Sequence, residues 1–313
     1  MHRYIIKRLL FLIPTALGVT FIIFLVMNFT PGDPARAILG MSVPQEDVDA
    51  LNHEMGYDQP FLEKYVNYVK DAVVEQDFGI SYFTKKPVFD EVLPRFIVTI
   101  KLTLVGALLS TLIGVPLGII AAVRQYKLWD TIPSLISFFL AAIPAFVLGM
   151  VLMFVFSLKL NLLPSYGLNS WTSYIMPALT VSIPIAAMNM RFTKSSMLEA
   201  IRQDYIRTAR GKGASERLVI WKHALKNALL PVITNIGLNM GGLIMGAVVA
   251  EQLFSIPGIG SLIVDRIAYK DEPVIIAGTL LISICFTLIM LVVDLIYAYI
   301  DPRIRAKYSK TKG

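Results

Sequence analysis

The chain has 313 residues, 56% of them hydrophobic and only 16% charged, with a formal net charge of +7. A soluble domain carries about 25% charged residues, so composition counts against a soluble enzyme or nucleic-acid binder, and the basic excess fits the positive-inside bias of a membrane protein. The lone Cys285 and the scattered His2, His53 and His223 exclude an internal disulfide and leave no Cys or paired-His metal site.

A helix crosses a hydrocarbon core of about 30 Å with about 20 apolar residues. Arg3, Lys7 and Arg8 precede an apolar run over residues 9–29. Ala35-Arg36-Ala37 imitates a signal-peptide cleavage site, but the run exceeds the roughly 7–15 residues of a signal core and Pro31 and Pro34 crowd the site. Residues 1–29 therefore read as the N-terminus and a retained first span. Residues 30–94 read as an extracytoplasmic segment; up to residue 96 this part holds twelve Asp and Glu against six Lys and Arg. Within it, 44–55 and 60–76 are predicted to be short amphipathic helices. Phe61, Leu62, Tyr65, Val66, Tyr68, Val69 and Val73 recur at roughly helical spacing, and the segment is expected to pack on the outer ends of the spans.

Five further spans are predicted at about 97–122, 132–157, 174–192, 230–253 and 276–300. Pro116, Pro144, Pro177 and Pro184 are expected to kink them. Gly114 and Gly118, and Gly237, Gly241, Gly242 and Gly246, are expected to allow close helix contact. Residues 301–313 form a basic tail with Arg303, Arg305, Lys307, Lys310 and Lys312. Six spans with both termini in the cytoplasm put 19 of the 29 Lys and Arg inside and 16 of the 22 Asp and Glu outside. The expected fold class is thus an all-α membrane protein with six transmembrane helices and an extracytoplasmic segment between the first two.

No phosphate-binding loop occurs: Gly211-Lys212-Gly213 follows a helix and lacks the earlier glycine. No Ser/His/Asp or paired-carboxylate arrangement supports an enzyme. Attention falls on the basic stretch 195–231, an elbow between the fourth and fifth spans. Asp204-Tyr205-Ile206-Arg207-Thr208-Ala209-Arg210 would make two helical turns with Tyr205, Thr208 and Ala209 on one face. Gly211 and Gly213 permit a reversal, and Ser215 is placed to cap the next helix. An aromatic and small-residue face among cations suits insertion into a groove on a partner; a solvated basic loop is the alternative. Asp294 is read as the one acid inside a span, and as a structural hydrogen bond or ion pair before a proton relay, with Asn189, Asn235 and Asn239 as interhelical hydrogen bonders before pathway lining. The loop Ile256-Pro257-Gly258-Ile259-Gly260 is expected to expose its two isoleucines, as a tight turn or as a contact for a partner.

Motifs in order along the chain carry a resemblance. They are Thr30-Pro31-Gly32-Asp33-Pro34, Asp58-Gln59-Pro60, Asp77-Phe78-Gly79-Ile80-Ser81, Leu162-Leu163-Pro164, Asp204 to Gly213, His223 to Ala228, Ile256 to Gly260, Pro273-Val274-Ile275 and Asp301 to Arg305. Together they resemble the first permease subunit of the dipeptide/oligopeptide/nickel group of binding-protein-dependent type I ABC importers. The resemblance implies a permease domain at 95–300 and an ATPase-coupling loop with Asp204, Tyr205, Arg207, Thr208, Ala209, Arg210, Gly211 and Gly213. Arg207 stands where the wider superfamily has Glu, six residues before the loop glycine Gly213; Glu199-Ala200 is a decoy, and the later proline is displaced to Pro231. It further implies a second homologous permease, two cytoplasmic ABC ATPases that bind ATP and Mg, and an extracytoplasmic substrate-binding protein that meets residues 256–260. By the same resemblance the chain is non-catalytic, has no cofactor of its own, contacts membrane lipid but no nucleic acid, and lies in a bacterial or archaeal inner membrane. Peptide is the expected cargo, with nickel or another small solute the alternative; a proton-coupled secondary transporter would need a repeat and midplane acids that the sequence lacks.

Overall fold

A computed structural model describes residues 2–168 and 170–300. The basic tail, with Arg303, Arg305, Lys307, Lys310 and Lys312, lies outside the described residues. Among those described, every regular element is helical, and the one extended pairing is an isolated bridge between Ile80 and Pro87. Two compact units divide the chain: residues 2–99 with 257–287, and residues 100–256 with the end of the last helix.

In the first unit, α1 (His2–Leu10) leads into α2 (Leu12–Phe29), and Ile5–Phe29 is an apolar stretch long enough to span a membrane. Residues 30–87 then fold on themselves. Asp33 caps α3 (Pro34–Leu39) by accepting from Arg36 N–H at 3.1 Å, and Pro34 occupies the first turn, where its missing N–H costs no hydrogen bond. α4 (Gln45–Glu54) packs on α3 through buried Ala35, Val48 and Met55. α5 (Phe61–Lys70) continues as a π-helical turn, Asp71–Glu75. A second apolar cluster joins Val88 and Val92 at the start of α6 (Val88–Val123) to Ile259 and Leu262 of α13 (Ile259–Ala268) and to Val274 and Ala277 of α14 (Glu272–Ile300).

The second unit is built on α9 (Ile175–Ile201), which packs against α7 (Leu128–Ala142), α8 (Ala145–Leu152) and α12 (Leu225–Leu253). With 56% of its apolar window buried, against 11% for the first span, α9 is a core helix rather than a peripheral one. α6 lies on it without intervening side chains. A Cβ at Gly114 would stand 2.5 Å from the Ala186 carbonyl oxygen, and one at Gly118 2.6 Å from that of Met190, so only glycine fits either place. Gly237 instead lies under a side chain, where an added Cβ would stand 2.5 Å from a Val293 methyl, whereas Gly242 and Gly246 have room for ordinary contacts.

The expected spans are present with changed lengths. The second, fourth, fifth and sixth run as α6, α9, α12 and α14, each longer than the apolar stretch that predicts it, because polar turns continue the helix past the hydrophobic core. The third is broken: α7 and the helix Ala145–Lys159, which is α8 and its π-helical extension, meet at 104°. Ile143 is extended at ψ 125°, as a residue before proline prefers, and Pro144 cannot donate to the turn behind it. Pro116, Pro177 and Pro184 break nothing; Pro177 sits in the first turn of α9, and the others are absorbed within continuous helices. Among the described residues, long apolar helices therefore number five, or six if the bent pair is one span.

Candidate functional site

The elbow between α9 and α12 is the most elaborated polar feature of its unit. α10 (Asp204–Gly211) begins after an extended Gln203, and its end is a Schellman closure. Gly213 takes φ +81° and donates to the Arg210 carbonyl at 2.9 Å, while Ala214 N–H reaches the Ala209 carbonyl at 3.1 Å. Glycine is favoured at 213 because a side chain is strained at that φ. The chain then reverses into α11 (Glu216–Leu218), a single turn that a π-helical turn, Val219–Ala224, joins to α12. Ser215 Oγ accepts from Leu218 N–H, as a cap does. Across the reversal, Arg210 donates twice to Glu216, at 2.6 and 3.1 Å, a bidentate strut that ties α10 to α11.

The elbow is seated by a residue that sequence periodicity passed over. Ile206 is fully buried among Ile119, Ala122, Met197, Ala200, Val219 and Ala224. The cluster joins α10 to the ends of α6 and α9 and to the turn that enters α12. Ala209, three residues on, half-packs on the same cluster. The face expected to comprise Tyr205, Thr208 and Ala209 is therefore divided: Tyr205 and Thr208 face out with Asp204, Arg207, Arg210 and Lys212, and Ala209 turns inward with Ile206. The signal for this was the i, i+3 pair of apolar residues in an otherwise polar octet.

In the other unit a dense charge cluster ties residues 30–91 to the turn 266–272. Asp271, with no exposed side chain, accepts from Ser81 Oγ at 2.5 Å and from Tyr82 N–H at 2.9 Å. Arg266 pairs with it and donates to Glu91 at 2.9 Å, under the Phe83 ring. Lys270 donates to the Thr30 and Gly32 carbonyls at 2.5 and 2.6 Å, and Lys64 pairs with Glu272 at 2.5 Å. Burial holds the Asp271 carboxyl above its usual range and the Lys270 ammonium below its own. Several of the sequence motifs thus meet here: Thr30 to Pro34, Asp77 to Ser81, and the turn before Pro273.

Asn189 Oδ1 accepts from Asn235 Nδ2 at 3.2 Å and from Asn239 Nδ2 at 2.9 Å, so one buried asparagine links α9 to α12. Asp294 is half-buried in α14, next to the Val293 that meets Gly237. It is not the sole acid within a span helix, since Glu251 lies in the last turn of α12 and is fully buried. In the loop 256–260 the expectation of exposed isoleucines is overturned: Ile256, Gly258, Ile259 and Gly260 are buried and only Pro257 is exposed. Ile259 begins a helix, and its N–H bonds Thr99 Oγ1 at 2.8 Å, which holds the side chain inside. Asp130 and Lys194 stood out in neither charge nor motif, yet they pair between α7 and α9, with Ser134 bonded to both.

A family model described as "Binding-protein-dependent transport system inner membrane component" matches residues 114–306, and one for the N-terminal part of such components matches residues 1–103. The chain is an inner-membrane permease subunit of a binding-protein-dependent ABC importer. The permease is 43% identical over 307 residues to the glutathione transport system permease protein GsiC of Escherichia coli K12, covering 98% of this chain and 100% of that protein. The protein of the same name in Shigella dysenteriae serotype 1 matches equally. A solved inward-facing structure of the MetNI methionine ABC transporter shares the fold, with a TM-score of 0.58 at 19% identity over 68% of the permease and 97% of the solved chain. The permease is therefore a multi-pass membrane protein of the type I importer fold, and a transport subunit without a catalytic step of its own.

Proposed function

We propose that this permease passes small peptides, and that its elbow is the point at which an ATPase subunit drives it. The observation that carries the cargo reading is the end-to-end 43% identity to a glutathione permease, because glutathione is itself a tripeptide. In this reading the chain pairs with a second homologous permease, two ATPases that bind ATP and Mg dock on the cytoplasmic side, and a receptor delivers peptide on the other. Both termini and the elbow face the cytoplasm, as the distribution of Lys and Arg favours.

The elbow's build supports the mechanical part. Tyr205, Arg207, Thr208 and Lys212 offer an exposed face to a partner, while Ile206 behind them is locked into the ends of α6 and α9 and the approach to α12. A push on α10 therefore moves the cytoplasmic ends of these helices together. Residues 30–94 and Pro257, the exposed member of the 256–260 loop, are assigned to the receptor side.

The test of cargo is to purify the transporter with its receptor, identify the bound ligand by mass spectrometry, and measure its uptake into proteoliposomes in competition with di- and tripeptides, glutathione and nickel. Peptide should copurify, and peptides should compete for its uptake. A bound metal or sugar that peptides fail to displace would reject peptide as the cargo.

A further inference from the structure

Helix α5 is anchored deep on the first span. Tyr65 donates its hydroxyl to the backbone carbonyl of Leu17 at 3.0 Å, and its ring stands edge-on to Phe21 and Phe24 at 5.4 and 5.5 Å. Phe61 meets Phe21, and Tyr68 meets Phe24, in the same edge-on manner. The apolar span ends at Phe29. At 1.5 Å per residue these contacts lie about 8 to 18 Å back along it, and Leu17 falls at its middle. A segment that sequence places on the outer ends of the spans is thus packed at membrane depth.

The faces of α5 agree with that depth. Phe61, Tyr65 and Tyr68 form the packed face. About a third of a turn round, Leu62, Val66 and Val73 follow at i, i+4 and i+11 and are 65%, 59% and 72% exposed. Glu63, Asn67 and Lys70 make the next face, all exposed. Lys64, the cation on the remaining side, is neutralised by Glu272 at 2.5 Å. The first span continues this apolar surface, with Ile13, Ile22 and Val26 more than half exposed. We propose that α5 and its π-helical turn form an interfacial helix: Leu62, Val66 and Val73 insert among the acyl chains of the leaflet crossed by the C-terminal half of α2, and Glu63, Asn67 and Lys70 remain with headgroups and water. A soluble receptor cannot reach a stripe at this depth, and lipid is the surface that the rest of the span already faces.

Cys285 is the chain's single cysteine, so Cys285→Ala supplies a clean background for bimane labels at Leu62→Cys, Val66→Cys, Val73→Cys, Glu63→Cys and Asn67→Cys. The transporter, purified with cysteine-free partner subunits, is placed in nanodiscs. Labels at 62, 66 and 73 should lose fluorescence to brominated acyl chains and keep it against aqueous iodide; labels at 63 and 67 should do the reverse. Quenching of 62, 66 and 73 by iodide overturns the proposal. Protection of these three from both quenchers also overturns it, and puts a second membrane protein on the stripe. Should labels unseat the helix, the unaltered transporter is irradiated with a diazirine-bearing phospholipid. Adducts on residues 62–73 are expected, and α2 labelled with none on 62–73 overturns the proposal.

Discussion

Lys194 on α9 reaches Asp130 on α7, and Asp130 also accepts from Tyr126 N–H at 3.0 Å and Ser134 Oγ at 3.0 Å. Both charges are largely buried, with side chains 24% and 7% exposed, so the pair is costly to halve. Lys194→Ala would strand a carboxylate and is expected to destabilise the permease by about 3–5 kcal/mol, while Lys194→Met with Asp130→Asn should recover most of that. Thermal denaturation of the two purified variants decides it; equal losses would mean that the charges do not act as a pair. The residues are far apart in sequence and neither lies in a motif, which is why charge counting saw only one more inner-loop cation and acid. Asp271 was hidden in the same way, since its partners Ser81 and Tyr82 are nearly two hundred residues away.

Helix contacts in the bundle are set by where backbone meets backbone. Gly118 touches the α9 main chain, which cannot yield without moving the whole helix, whereas an added methyl at Gly246 would meet Val181 at an ordinary 3.6 Å. Gly118→Ala is therefore expected to cost about 1–3 kcal/mol through overpacking, and Gly246→Ala to stay within about 0.5 kcal/mol of the parent. Melting temperatures of the two purified variants give the comparison, and an undisturbed Gly118→Ala would show that α6 has slack. All these glycines look alike in sequence as small residues in apolar helices. The prolines look alike too, yet of Pro116, Pro144, Pro177 and Pro184 only Pro144 falls at a break between helices. A kink requires that the freed carbonyl and the residue before proline find another arrangement, and that is a property of the packed neighbours.

For the molecule as a working part, the question is whether the elbow both receives and transmits force. Tyr205→Asp places a charge on the exposed face and leaves the buried seat alone; the ATPases should no longer copurify and uptake should stop. Ile206→Ala leaves the face alone and empties the seat, so the ATPases should still bind and hydrolyse ATP while uptake per ATP falls. ATPase and uptake assays on the same proteoliposomes separate the two. If both variants lost binding alike, docking and transmission would be one contact and the lever account would fail. The substitution Ala209→Asp is unsuitable as a docking probe, because Ala209 half-packs on the cluster that holds Ile206.

Long apolar runs determined the spans before any folding was considered, since a bilayer accepts only helices that bond their own backbone. Gly213, with Ser215 behind it, likewise wrote the reversal of the elbow into local sequence. Tertiary structure alone decided which side of each helix meets protein. It turned Ile256, Ile259 and Ala209 inward, brought Asp271 to Ser81, and laid Tyr65 against the middle of the first span. Periodicity reports that a face is apolar. Whether that face meets a helix, a buried cluster or lipid depends on residues that only folding brings near.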